Sequence, residues 1–163
     1  MFVKAGSKYG IDPAFLAAVA MHETGNGTSK AIKEKNNVGG MMGKNGLRSF
    51  DSVPDGIDAM ASNLKRLYID QGLVSIADIQ KKYAPVGATN DPTGLNNHWQ
   101  NGVSKHMDSV LSGYKPLNSE VINQTSSSTK HEVSVVVKGS VDGMTPENQK
   151  KVADSITKAF DIS

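Results

Sequence analysis

The chain has 163 residues, enough for one compact domain with an appendage, and its near-neutral balance of +2 excludes the clustered basic face of a dedicated nucleic-acid binder. It contains no cysteine, so neither disulfides nor thiolate-bound metal support it. No apolar run approaches the roughly 18 residues that would span a membrane.

The N-terminal run M-F-V-K-A-G-S-K-Y-G has no secretory apolar core. The expectation is a protein that leaves its cell by another route, or a part of something larger. Residues 1–9 read as a short lead-in helix with Phe2, Val3 and Tyr9 as its apolar contacts. The next stretch, Ile11 to Gly27, organises the chain. Asp12 is a good N-cap, Pro13 sits where a missing N–H costs nothing, and Gly25 and Gly27 stop the helix. Phe15, Val19 and Glu23 share one face at steps of four, so the acid follows the apolar stripe. A carboxyl held against apolar surface has its ionised form disfavoured, its pKa rises, and it can carry a proton near neutral pH. An ordinary exposed glutamate at a helix end is the plainer reading of Glu23 taken alone.

Thr28 or Ser29 caps a short helix through Lys35, and residues 36–51, rich in Gly and Asn, read as turns and short extended pieces. A helix restarts within Asp51–Pro54 and runs to about Asp70, with Ile57, Met60, Leu64 and Leu67 at helical spacing. Ser75 caps a shorter helix that stops before Pro85, and another runs from about Asn96 to Leu111. Periodicity is lost over residues 114–130, a linker. Beyond it Val133, Val135 and Val137 alternate as a strand, and Thr145 and Pro146 open a helix striped by Val152, Ile156 and Phe160. The expected fold is mainly α (α+β). A helical domain over 1–113 carries a small irregular Gly-rich lobe. A strand–helix appendage over 131–163 is too small to bury its own core and suits assembly or oligomer contacts.

Three familiar chemistries are excluded. Gly43 and Lys44 are followed by Asn45, which is no phosphate loop, and no βαβ unit surrounds the glycines as a dinucleotide site requires. His22 and Glu23 begin like a zinc-protease helix, but Asn26 stands where the second histidine belongs. His98, His106 and His131 are scattered, and no metal or cofactor is implied.

What remains is an ordered set: E-T-G-N-G-T-S at 23–29, N-N-V-G-G-M at 36–41, F-D-S at 50–52 and Y-A-P at 83–85. Over roughly residues 1–110 this resembles the glucosaminidase family of peptidoglycan hydrolases, within the lysozyme-like superfamily. The resemblance implies that Glu23 is the catalytic acid and that Tyr83 faces it. It also implies that Asn36, Asn37, Gly39 and Gly40 lie beside the cleft. Asn26 departs from the family, where an aromatic residue is common at that position.

Glycosidic cleavage needs a proton on the leaving oxygen while an oxocarbenium-like centre develops. Asp51, Asp55, Glu34 and Asp91 are candidates for a second carboxylate. Asp51 is favoured among them as a second carboxylate, although capping the next helix is its plainer reading. Without a second carboxylate, the substrate's N-acetyl group would assist, or the reaction would be that of a lytic transglycosylase. Met41 and Met42 could line the cleft or fill the core, and Trp99, with Val103 at the next turn, reads as core packing.

The run K-H-E-V-S-V-V-V-K-G-S-V-D-G-M at 130–144 resembles the C-terminal end of phage tail tape-measure proteins. That resemblance implies a wall-degrading domain in a virion tail or at the bacterial cell wall. Its partners would be peptidoglycan and, through 131–163, itself or other tail proteins. A non-catalytic glycan-binding or structural module of the same fold is the rival reading.

Overall fold

The computed structural model describes residues 1–89, 91, 94–111, 146, 147, 150, 151, 153, 154 and 157. The expected linker over 114–130, the strand around Val135 and the stripe of Val152, Ile156 and Phe160 lie outside the described residues. Those described between 146 and 157 are helical, and Lys150–Asp154 and Lys151–Glu147 pair at the four-residue spacing of a helix.

The fold is mainly α, as expected. Helix α1 (Phe2–Tyr9) turns at Gly10 into α2 (Pro13–Thr24). The Asp12 carboxylate caps α2 by accepting from the Ala14 and Phe15 N–H groups at 2.7 and 3.3 Å. The sequence predicted a single apolar face on α2, but every residue from Pro13 to Met21 is buried. Four alanines among them (Ala14, Ala17, Ala18 and Ala20) let neighbouring elements close on all sides, so α2 is the axis of the domain. It packs most extensively against α6 (Trp99–Leu111) and also against α1. Phe15, Leu16 and Val19 on α2 and Val103 and Val110 on α6 are 0–1% exposed. Burying each contributes about 1.5–3 kcal/mol.

Helix α3 (Lys30–Lys35) starts after Ser29 and ends at Asn36 in the left-handed conformation. The Gly-rich lobe follows. Its regular part is a two-stranded antiparallel hairpin, β1 (Met42–Gly43) and β2 (Gly46–Leu47), with Met42 opposite Leu47. Helix α4 (Val53–Leu67) is capped by Ser52, whose hydroxyl accepts from the Asp55 N–H at 3.3 Å. The helix expected to reach Asp70 stops at Leu67, because a separate 3₁₀ turn over Ile69–Gln71 ends at Gly72 with φ 82°. Ser75 caps α5 (Ile76–Tyr83) as expected. The helix expected from Asn96 begins instead as a 3₁₀ turn over Leu95–His98. The Asp91 carboxylate accepts from the Leu95 and Asn96 N–H groups there. No helix among the described residues is long and apolar enough to cross a membrane.

Candidate active site

Glu23 lies at the C-terminal end of α2, where the buried axis emerges. Its Oε1 accepts a hydrogen bond of 2.9 Å from the indole Nε1 of Trp99, at the start of α6. Its Oε2 faces the lobe: a Cβ placed on Gly40 would stand 3.5 Å from it, and Gly40 has φ +59°. Glycine at this position lets the lobe backbone come close to the acid at no conformational cost.

Between the lobe and the helices is a cavity of about 310 Å³, near the lower end for small-ligand sites. Glu23 lines it from α2, the lobe supplies Gly39, Gly40 and Met41, and α5 supplies Tyr83. The remaining wall is α4, with Met60, Asn63, Leu64 and Leu67, followed by Tyr68. The Tyr83 hydroxyl faces the Glu23 carboxyl and stands 3.4 Å from the Gly39 carbonyl, so its single hydrogen is shared between these two acceptors. The Tyr83 ring lies 5.0 Å from that of Trp99 and 5.7 Å from that of Tyr68, in a continuous aromatic row.

Burial pushes the Glu23 carboxyl above the ordinary glutamate range, and the hydrogen bonds from Trp99 and Tyr83 partly oppose it. Burial, reinforced by the nearby Glu23 charge, pushes the Tyr83 phenol well above its usual value, and Tyr68 is raised for the same reasons. Both phenols are therefore neutral at physiological pH, hydrogen-bonding groups rather than anions. The cavity holds one protonatable acid among neutral polar and apolar groups, which is the setting for a proton donor.

Of the residues singled out in the sequence, Glu23, Gly39, Gly40, Met41 and Tyr83 come together here. Asn36 and Asn37 do not line the cavity. The Asn36 amide donates to the Phe50 carbonyl at 2.9 Å. Asn37 is fully buried, donates to the Met41 and Arg48 carbonyls, and accepts from the Met41 N–H, each at 2.9 Å. These bonds tie both amides to the lobe's own backbone. Asn37→Ala is expected to lose about 2 kcal/mol of stability by stranding those buried groups. A thermal or denaturant melt checks this.

Asp51 is exposed and outside the cavity wall, and the capping role also considered for it belongs to Ser52. Glu34 and Asp55 are exposed as well, and Asp91 caps the turn before α6. Among the described residues, Glu23 is the one carboxylate in the cavity wall. Met42 points to solvent at 68% exposure. No three His, Asp or Glu side chains gather among the described residues where they could hold a metal ion.

Sequence reasoning missed the donor role of Trp99, which is core packing as expected, 4% exposed, and also the partner of Glu23. The available signal was that a buried indole N–H needs an acceptor. It also missed Asn63 and Tyr68, and it took Met60, Leu64 and Leu67 as a core stripe only. What brings Trp99 to Glu23 is the tight approach of α6 to α2. A Cβ on Gly102 would lie 2.3 Å from Nδ1 of His22, so with the ring where it stands glycine is what lets the two helices come this close.

A family model described as Glucosaminidase, mannosyl-glycoprotein endo-beta-N-acetylglucosaminidase, matches residues 1–135. Comparison with curated proteins finds no match to the chain.

Proposed function

The chain belongs to the glucosaminidase family, a family of glycoside hydrolases, and from that premise we propose that it cuts the glycan strands of bacterial peptidoglycan. The bond broken is the β-1,4 link between N-acetylhexosamines, and Glu23 is the general acid. The observation that carries this reading is the Glu23 carboxyl in the cavity wall, raised by burial and hydrogen-bonded by Trp99.

The chemistry follows from the geometry. A sugar seated between the lobe and α4 presents its glycosidic oxygen to the Glu23 proton, and the departing strand takes that proton as its new hydroxyl. Positive charge develops at the anomeric carbon. Because Glu23 is the one carboxylate in the described wall, stabilisation of that charge falls to the substrate's own acetamido group. Water then opens the cyclic intermediate, aided by the Glu23 carboxylate acting as base. A lytic transglycosylase would instead close the sugar's own hydroxyl onto that carbon, and the lone acid is compatible with this second route.

The experiment is digestion of purified peptidoglycan with the products resolved by mass spectrometry. The expected result is soluble fragments with a hydrated reducing end, whose sugar identifies the bond. Anhydro ends would reassign the reaction to transglycosylation. Binding without release would overturn the catalytic reading in favour of a glycan-binding module.

The biological setting in this reading is the tail of a phage or prophage, where the activity opens the wall locally. Its support is the run at 130–144 that resembles tape-measure proteins. Residues 131–163 would make the contacts with further copies or with other tail proteins.

A further inference from the structure

We propose that Trp99 is a positioning residue that decides which oxygen of Glu23 carries the transferable proton, and that it assigns the proton to Oε2, the oxygen on the side of Gly40 and the lobe. The inference rests on Glu23 being the general acid.

An indole N–H can only donate. Oε1, 2.9 Å from Nε1, is therefore an acceptor whether Glu23 is ionised or neutral. The carbonyl-type oxygen of a neutral carboxyl is the better acceptor, so a carboxyl that keeps this bond favours its hydrogen on the other oxygen. That oxygen, Oε2, is the one beside Gly40, which lines the cavity together with Glu23. Without the indole, the carboxyl could rotate and direct its proton at the protein wall as readily as at a substrate.

The indole is itself held in place. It is 4% exposed, lies against the Tyr83 ring on one side and meets the edge of His22 at 6.3 Å. The closeness of Gly102 to the His22 ring keeps α6 seated on α2. Around the carboxyl, α5 presents the Tyr83 phenol and the end of α4 presents the Tyr68 phenol, both neutral. The lobe brings the backbone of Gly39 and Gly40. His22, the neighbouring titratable group on α2, lies against Trp99 and His106, 6.2 Å between imidazole centres. The Trp99 bond favours the ionised acid and opposes burial, so it also keeps the proton from being held too tightly to transfer.

The test is Trp99→Phe, which retains an aromatic ring for packing and deletes the donor. With a soluble peptidoglycan fragment as substrate, kcat is expected to fall roughly tenfold to a hundredfold, with KM nearly unchanged. The alkaline limb of the pH–rate profile should move to higher pH, a displacement that loss of packing alone would not produce. Unchanged kcat and an unmoved limb would overturn the proposal.

A second measurement needs no variant at position 99. Trp99 is the only tryptophan in the chain, so its fluorescence reports on Glu23 in the intact protein. Emission is expected to titrate with the midpoint of the alkaline limb, and to become insensitive to pH over that range in Glu23→Gln. Flat wild-type emission across the limb would overturn the role of Trp99 while leaving Glu23 as the acid. Full turnover by Glu23→Gln would overturn both.

Discussion

Glu23→Gln is expected to stop glycan cleavage and, at neutral pH, to make the protein more stable. The amide keeps the size of the side chain and can still accept from Trp99, but it has no proton to give. Loss of a positioned general acid costs about a hundredfold to ten-thousandfold in rate, read as fragment release from purified peptidoglycan. The stability gain follows from proton linkage. Burial raises the folded-state pKa of Glu23 above its unfolded value, so the native state holds the proton more tightly. The resulting stabilisation is complete below the unfolded pKa and is lost as pH rises through the folded one. Above that point the wild type carries a poorly solvated charge, whereas glutamine carries none. Melting temperatures at about pH 4 and about pH 7 should therefore show the variant's advantage growing with pH. Wild-type turnover by this variant would refute the assignment of Glu23 as the acid.

Gly56→Ala is expected to damage fold and activity together. Gly56 lies in the first turns of α4, and a Cβ there would stand 2.0 Å from the Asn36 carbonyl oxygen. In an unobstructed helix interior the same change would gain up to about 1 kcal/mol in helix propensity. Here the obstacle is backbone, which cannot rotate aside. Relieving the overlap means displacing the start of the lobe, at an expected net loss of about 3 kcal/mol, or roughly 6–12 °C in a thermal melt. Because the displaced segment leads into Gly39 and Gly40, surviving folded protein should also cleave glycan poorly. A stabilised, fully active Gly56→Ala would refute the close approach. Gly102→Ala is the informative contrast: its overlap is with the His22 ring, which can turn away, so its effect on the fold should be smaller.

Local rules made much of this legible in the sequence. The Asp12 cap with Pro13, the Gly25 stop and the Ser75 cap each depend on neighbours a few residues away, and each element begins or ends where expected. Helical spacing put Glu23 on the face of Phe15 and Val19, but the candidate acid role came from the motif resemblance and not from the spacing. What periodicity could not supply was the environment of the other faces. The alanines of α2 look like a weakly patterned helix, and only the packing of α1 and α6 shows that they are interior. Asn36 and Asn37 were placed beside the cleft by resemblance, which gives position along the chain but no side-chain direction. Their amides instead turn inward to bond the lobe's own backbone. The bond from Trp99 to Glu23 joins residues 76 positions apart. It depends on a helix contact that no window of sequence contains.

The two sides of the cavity also differ in how they are built, and this separates them in time. Glu23 projects from a helix whose amides are enclosed on every face, so they can open to solvent only when the whole domain does. The opposing wall is a lobe with a four-residue hairpin and exposed Met42 and Leu47, tied in largely by the Asn37 amide. Its amides are expected to exchange with solvent faster than those of α2, which hydrogen exchange would read. Under the proposed function, a glycan strand would then enter on the side of the lobe while Glu23 stays fixed on the buried helix.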